Sequence, residues 1–305
     1  MSGLSNEAKK YVEHFEQLPA FHLMEPTEVR ALYEEAPPFT GELPSIHPTV
    51  DDTIAVHKGE IPIRIYTPKG EGPFPIIIYY HGGGWVTGSI DSVDTTCHLL
   101  CAQTNHIVIS VGYRLAPEFK FPVPVQDAYG ALKWAYNHAS AINGKRDTIH
   151  VCGDSAGGTL ATVTAINAKE NRGPKITSQI LIYPVTDLTF ESDSYDTFQT
   201  GYGLTKDLMV WLKNHYIALK IDETNPLAAP LHADNLTDLP PAFIVTAEFD
   251  VLRDEGIRYA NRLKQAGVHV KQITKPGLVH AYFTQPDFFL TDIKNTIDEI
   301  KEFIT

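Results

Sequence analysis

Four short stretches of this chain carry residues whose chemistry fits together. Residues 81–85 read His-Gly-Gly-Gly-Trp and residues 153–158 read Gly-Asp-Ser-Ala-Gly-Gly; Asp250 ends an Ala-Glu-Phe-Asp run and His280 ends a Gly-Leu-Val-His run. A serine hydroxyl is a poor nucleophile at neutral pH and needs a base to take its proton. Ser155 supplies the hydroxyl, His280 the imidazole, and an acid near residue 250 the carboxylate that fixes the imidazole tautomer. The reaction open to such a set is acyl transfer, in which negative charge develops on a carbonyl oxygen and must be met by preorganised N–H donors. Gly83 and Gly84 are candidate donors because glycine lets the backbone approach closely and turn freely. Ala156, directly after the serine, is the third.

Each role has competitors. Glu248 and Asp254 lie close to Asp250, and spacing alone does not separate Asp250 from Asp254. His269 falls inside a strand pattern and His232 in a proline-flanked loop, so both read as structural. Asp154 sits beside the serine but is expected to point away from it, and His81 is expected to organise its loop. Trp85 either lines the acyl side of a pocket or supports the glycine loop. A phosphate loop is excluded, since neither G-x-x-x-x-G-K-[ST] nor G-x-G-x-x-G occurs. The 13 histidines show no metal-ligand spacing, so no metal site is expected.

These residues need elements to hold them. Residues 53–57 and 61–66 read as a hairpin, because Ile61, Ile63 and Ile65 alternate with Pro62 and Arg64. Further strands are expected at 76–80, 107–112, 149–152, 179–183, 242–246 and 268–273. Helical patterns fall at about 91–103, 124–138, 156–170, 253–266 and 291–303. This alternation predicts an α/β fold with a mostly parallel central sheet flanked by helices on both faces. A G-x-S-x-G pentapeptide between strand and helix, after an HGGG loop and before an acid and a histidine, is the α/β-hydrolase pattern. Residues 1–45 carry helical spacing at 7–18 and 27–35. The aromatic-rich stretch 187–225 interrupts the alternation, and about 40 residues are too many for a structureless loop. The expected organisation is N-terminal cap helices over 1–45 and a catalytic domain over 46–305, with a cap insertion at about 187–225. Leu204, Leu208, Met209 and Trp211 are the candidates for its pocket lining.

Bulk properties narrow the partners. The net charge of −12 argues against nucleic acid and against an anionic membrane surface. No apolar run approaches the roughly 18 residues needed to span a bilayer, and the charged stretch Met1–Phe21 lacks the apolar region of a signal peptide. A cytoplasmic protein is expected. Three cysteines, Cys97, Cys101 and Cys152, do not make a disulfide framework.

Over about residues 45–305 the sequence resembles the hormone-sensitive-lipase-like family of α/β-hydrolase carboxylesterases, its microbial members in particular. The resemblance rests on His81–Trp85, Tyr113–Glu118, Phe121-Pro122, Asp127-Ala128-Tyr129, Gly153–Gly158, Leu181–Pro184, Asp250–Glu255 and Gly277–His280. It implies a triad of Ser155, Asp250 and His280, and an oxyanion hole of Gly83, Gly84 and Ala156. Asp250 is chosen over Asp254 because the family's acid begins its Asp-x-Leu-Arg-Asp-Glu run. It further implies short- to medium-chain esters as small-molecule substrates and no cofactor. A homodimer, through the edge near 268–273, and cis bonds at Ala116–Pro117 and Phe121–Pro122 are also implied. Val251 stands where proline is common and Ala281 where glycine is common. The same chemistry would serve a deacetylase or an amidase. A binding role on the same fold, as in the plant gibberellin receptors, is opposed by the presence of His280.

Overall fold

The computed structural model describes residues 3–35 and 37–305. Two helices come first, α1 (Asn6–Phe15) and α2 (Pro26–Glu35). Ser5 caps α1 by accepting the Ala8 amide at 3.0 Å. Met1, Ser2 and Ala36, inside the expected N-terminal cap, lie outside the described residues.

The sheet follows: β1 (Val50–Val56), β2 (Gly59–Tyr66), β3 (Phe74–Tyr80), β4 (Ile107–Val111), β5 (Gly144–Asp154), β6 (Ser178–Ile182), β7 (Ala242–Phe249) and β8 (Val270–Val279). Its eight strands run in the order β1-β2-β4-β3-β5-β6-β7-β8. The β1–β2 and β2–β4 pairs are antiparallel; the others are parallel. Between and after the strands come α3 (Asp94–Thr104), α4 (Val123–His138), α5 (Ala156–Glu170), α6 (Asp193–Thr197), α7 (Lys206–Tyr216), α8 (Arg253–Gln265) and α9 (Pro286–Ile304).

Side-chain alternation along β3 shows how the sheet divides the interior. Ile76, Ile78 and Tyr80 join one core, with Leu132 of α4, Leu160 of α5 and Tyr259 of α8. Ile77 and Tyr79 join the other, with Leu100 of α3, Ile297 of α9 and Val12 of α1. A strand buried on both faces has no polar side, which is why the sequence of β3 reads as a continuous apolar run. Each such aliphatic side chain contributes roughly 1.5–3 kcal/mol on burial. Cys97, Cys101 and Cys152 are free and buried, packed as small apolar groups.

Several boundaries differ from expectation: β5 already begins at Gly144 and β7 continues to Phe249. β8 runs on to Val279 rather than ending near 273. It is the last strand in the sheet order, and an edge strand tolerates Pro276, whose missing N–H breaks no inner ladder. α9 begins at Pro286 and is interrupted at Phe289, whose φ of −119° is not helical. Both predicted cis bonds are present, together with Gly72–Pro73. Segment 187–225 holds α6, α7 and a short 3₁₀ turn at Lys220–Thr224. Among the described residues, no helix is long and apolar enough to cross a membrane.

Candidate active site

Strands β3, β5, β6, β7 and β8 run parallel, so the loops leaving their carboxyl ends gather on one side of the sheet, where such folds build their sites. The turn after β5 is tightest. Ser155 takes φ 54°, ψ −119° between the strand and α5, a conformation that costs energy for any residue with a Cβ. The turn is clamped by the Ser155 amide on the Ile182 carbonyl at 2.8 Å and the Val185 amide on the Ser155 carbonyl at 3.2 Å. A Cβ on Gly157 would lie 1.9 Å from the Tyr80 carbonyl oxygen, and one on Gly153 2.3 Å from the Gly157 backbone. The glycines that flank the serine are therefore fixed by contact.

Three side chains meet at this turn. His280 Nε2 lies 3.0 Å from Ser155 Oγ, and His280 Nδ1 lies 2.8 Å from Asp250 Oδ2. An ionised carboxylate only accepts hydrogen bonds, so Nδ1 carries the proton and Nε2 presents its lone pair to the serine hydroxyl. The second carboxylate oxygen of Asp250 accepts the Leu252 amide at 3.0 Å. The Asp250 side chain is fully buried and that of His280 is 10% exposed, so water competes little for these bonds. The Tyr183 ring, 4.6 Å from the imidazole between centroids, packs against it.

The competing acids are engaged elsewhere. Glu248 accepts the Gly277 amide at 2.7 Å, while Asp254 accepts from the Ser194 amide at 2.9 Å and Arg253 Nε at 2.7 Å. Among the other histidines, His232 pairs with Asp187 at 2.8 Å and His269 stacks on Phe303.

The glycine loop follows β3. Gly83 and Gly84 have φ of 99° and 60°, the left-handed region that glycine enters without penalty. Ala156 opens α5, so its amide is one of the first-turn donors with no partner inside the helix. Asp154 links loop and serine turn: its Oδ1 accepts the Gly82 amide at 3.0 Å and the Tyr79 hydroxyl at 2.8 Å. Burial raises its carboxyl to about 6. His81 stacks on Tyr113 at 4.3 Å, and the Tyr113 hydroxyl donates to the His81 carbonyl at 2.8 Å. Burial lowers the His81 imidazole to about 4, so it is neutral at ordinary pH and holds the loop.

Trp85 is fully buried and stacked on Tyr216 of α7 at 4.1 Å and 8°. Met209 is buried in the core, and Leu204, Leu208 and Trp211 are half-buried against it. Leu212, not among the candidates from sequence, also packs here. Both its δ carbons would lie 2.5 Å from a Cβ on Gly84. The sequence puts Leu212 one helical turn beyond Leu208 on the same face, but its place against Gly84 is set only by how α7 packs.

With this geometry in view, comparison with known proteins decides the family. Residues 77–284 match a family model described as the alpha/beta hydrolase fold. Carboxylic ester hydrolase LipN of Mycobacterium tuberculosis is 41% identical over 249 residues, covering 78% of this chain and 65% of that protein. The chain belongs to the hormone-sensitive-lipase-like α/β-hydrolase carboxylesterases. An ethyl acetate hydrolase of Pseudomonas putida is 35% identical, over 86% of this chain and 84% of its own. Among solved structures, the ester-hydrolase EH1AB1 from the metagenome of Lake Arreo, complexed with a derivative of bipyridine phosphonate, superposes with a TM-score of 0.91. It is 34% identical, over 99% of this chain and 98% of its own. Small ester-like ligands are thus bound by structures of this carboxylesterase family.

Proposed function

We propose that this carboxylesterase hydrolyses short- to medium-chain carboxylic esters through an acyl-enzyme on Ser155. The observation that carries the reading is the continuous relay from Ser155 Oγ through His280 to the buried carboxylate of Asp250. Ser155 Oγ attacks the ester carbonyl carbon while His280 Nε2 takes its proton. The carbonyl oxygen becomes an oxyanion facing the amides of Gly83, Gly84 and Ala156. The intermediate collapses, His280 returns the proton to the departing alcohol oxygen, and the acyl group stays on Ser155. Water, deprotonated by His280, then releases the acid by the same steps. Asp250 stabilises the imidazolium formed in each half-reaction.

The N-terminal helices and segment 187–225 would form the cap that bounds the substrate. Support comes from the packing of the Phe21–Leu23 turn on α7 and of Leu212 on Gly84. The family's ethyl acetate hydrolase supports a small acyl group.

The test is initial rates on p-nitrophenyl esters from acetate to dodecanoate, with Ser155→Ala as the blank. A maximum at short or medium chains, lost in the variant, is expected. Rates that survive in Ser155→Ala would overturn the mechanism, and a maximum at the longest chain would overturn the size limit.

A further inference from the structure

The bonds that hold the glycine loop in place do not all come from its neighbours in the chain. The loop's exit is a tight turn in which the Gly83 carbonyl accepts the amides of Val86 at 3.1 Å and Thr87 at 2.9 Å and the Thr87 hydroxyl at 3.0 Å. The Trp85 carbonyl accepts the Ala116 amide at 2.8 Å, tying that turn to the 116–118 segment. One side chain then spans both pieces, and it comes from α2. Arg30 Nε donates to the Val86 carbonyl at 2.7 Å and Nη2 to the Ala116 carbonyl at 2.6 Å. Its Nη1 and Nη2 also grip the Glu118 carboxylate at 2.9 and 2.8 Å.

We propose that Arg30 is a positioning residue for the oxyanion hole, making the geometry of Gly83 and Gly84 depend on the N-terminal helices being docked. The inference rests on the reading of those two glycines as oxyanion donors. A planar guanidinium is the one side chain whose donors are fixed in the fork that two carbonyls and a carboxylate require together. The Glu118 carboxylate, held below its usual range chiefly by its bond to Arg30, keeps the fork in one rotamer. Arg30 itself touches no reacting atom. Its effect is on where the turn's carbonyls sit, hence on where the Gly83 and Gly84 amides point. The N-terminal segment also packs its Phe21–Leu23 turn on α7, and α7 places Leu212 against Gly84. The N-terminal unit thus bears on the loop directly through Arg30 and indirectly through α7.

A surface ion pair would behave differently, and the variants separate the two. Arg30→Ala is expected to lower kcat on p-nitrophenyl acetate on the order of 10²-fold, the scale of a misplacement of about 1 Å, with KM little changed. Arg30→Lys keeps the charge opposite Glu118 but not the fork, and should lose nearly as much kcat. Glu118→Ala keeps both carbonyl bonds and should lose far less. Free guanidinium should restore part of the kcat of Arg30→Ala and none to Ser155→Ala. Wild-type kcat in Arg30→Lys, or a loss in Arg30→Ala that lies in KM or tracks the melting temperature without guanidinium rescue, overturns the proposal. Should Arg30→Ala not fold, the order of Arg30→Lys and Glu118→Ala still decides it. Absence of Ser155-dependent turnover in the wild type would instead bring down the catalytic reading, and this inference with it.

Discussion

At the scale of single residues, the site joins one strained position to several that are over-determined. Ser155 sits at φ 54° because backbone bonds and glycine contacts leave the turn no alternative. Asp154, next to it, does work that spacing could not show. Its carboxylate is the acceptor for two buried donors, the Gly82 amide and the Tyr79 hydroxyl. Asp154→Ala would leave both unpaired, at a cost of about 1–3 kcal/mol each. The expected result is a lowered melting temperature and a kcat reduced by roughly tenfold or more as the glycine loop loosens. Asp154→Asn, which keeps an acceptor oxygen, should lose less of both. Equal losses in the two variants would show that the ionised carboxylate, and not its geometry, is what matters.

At the scale of elements, the placement of α5 against β3 is decisive. The helix approaches so closely that Gly157 meets the Tyr80 carbonyl directly. That approach sets α5, which opens with Ala156, directly against the strand that leads into the glycine loop. Gly157→Ala must push α5 away from β3, because a Cβ at 1.9 Å from a backbone oxygen cannot be absorbed by a side-chain rotation. Loss of most Ser155-dependent activity is expected, together with a large fall in thermal stability. A stable, fully active variant would show that the helix has room the structure does not display. Beyond β8, Ala281 follows His280 at φ 66°, in the left-handed region where an alanine is strained by about 1–2 kcal/mol.

At the scale of the molecule, buried histidines tie stability to pH. Burial, with repulsion from His106, lowers His150 to about 3, and burial lowers His81 to about 4. In the unfolded chain these groups take protons from about pH 6.5 downward. The unfolded state therefore binds more protons than the native one, and stability falls as pH drops from about 6.5 towards 4. Asp154, raised to about 6, acts in the opposite sense, since the folded state takes its proton first. The histidine contribution can be isolated with His150→Asn, which keeps polarity beside Ser178 but does not titrate. Its melting temperature should decline less steeply than the wild type's between about pH 7 and pH 4.5. Parallel declines would remove His150 from the account.

The sequence by itself determined the fold class and the reaction class, and it marked Ser155, the glycine loop and His280 as the candidates for the site. Each is written in a local pattern: a continuous apolar strand, a pentapeptide between strand and helix, a run of three glycines. Tertiary structure decided what local patterns cannot contain. Asp250 and Asp254 are both acids four residues apart, and only the approach of β8 to β7, which delivers His280 to one of them, tells them apart by geometry. Nothing in the neighbourhood of Trp85 along the chain shows that its ring stacks on Tyr216 of α7. Leu212 against Gly84, and Arg30 spanning Val86 and Ala116, join segments far apart in the chain. Such contacts follow from how whole elements pack, and a side chain's partner across a packed interface leaves no trace in its own neighbours along the sequence.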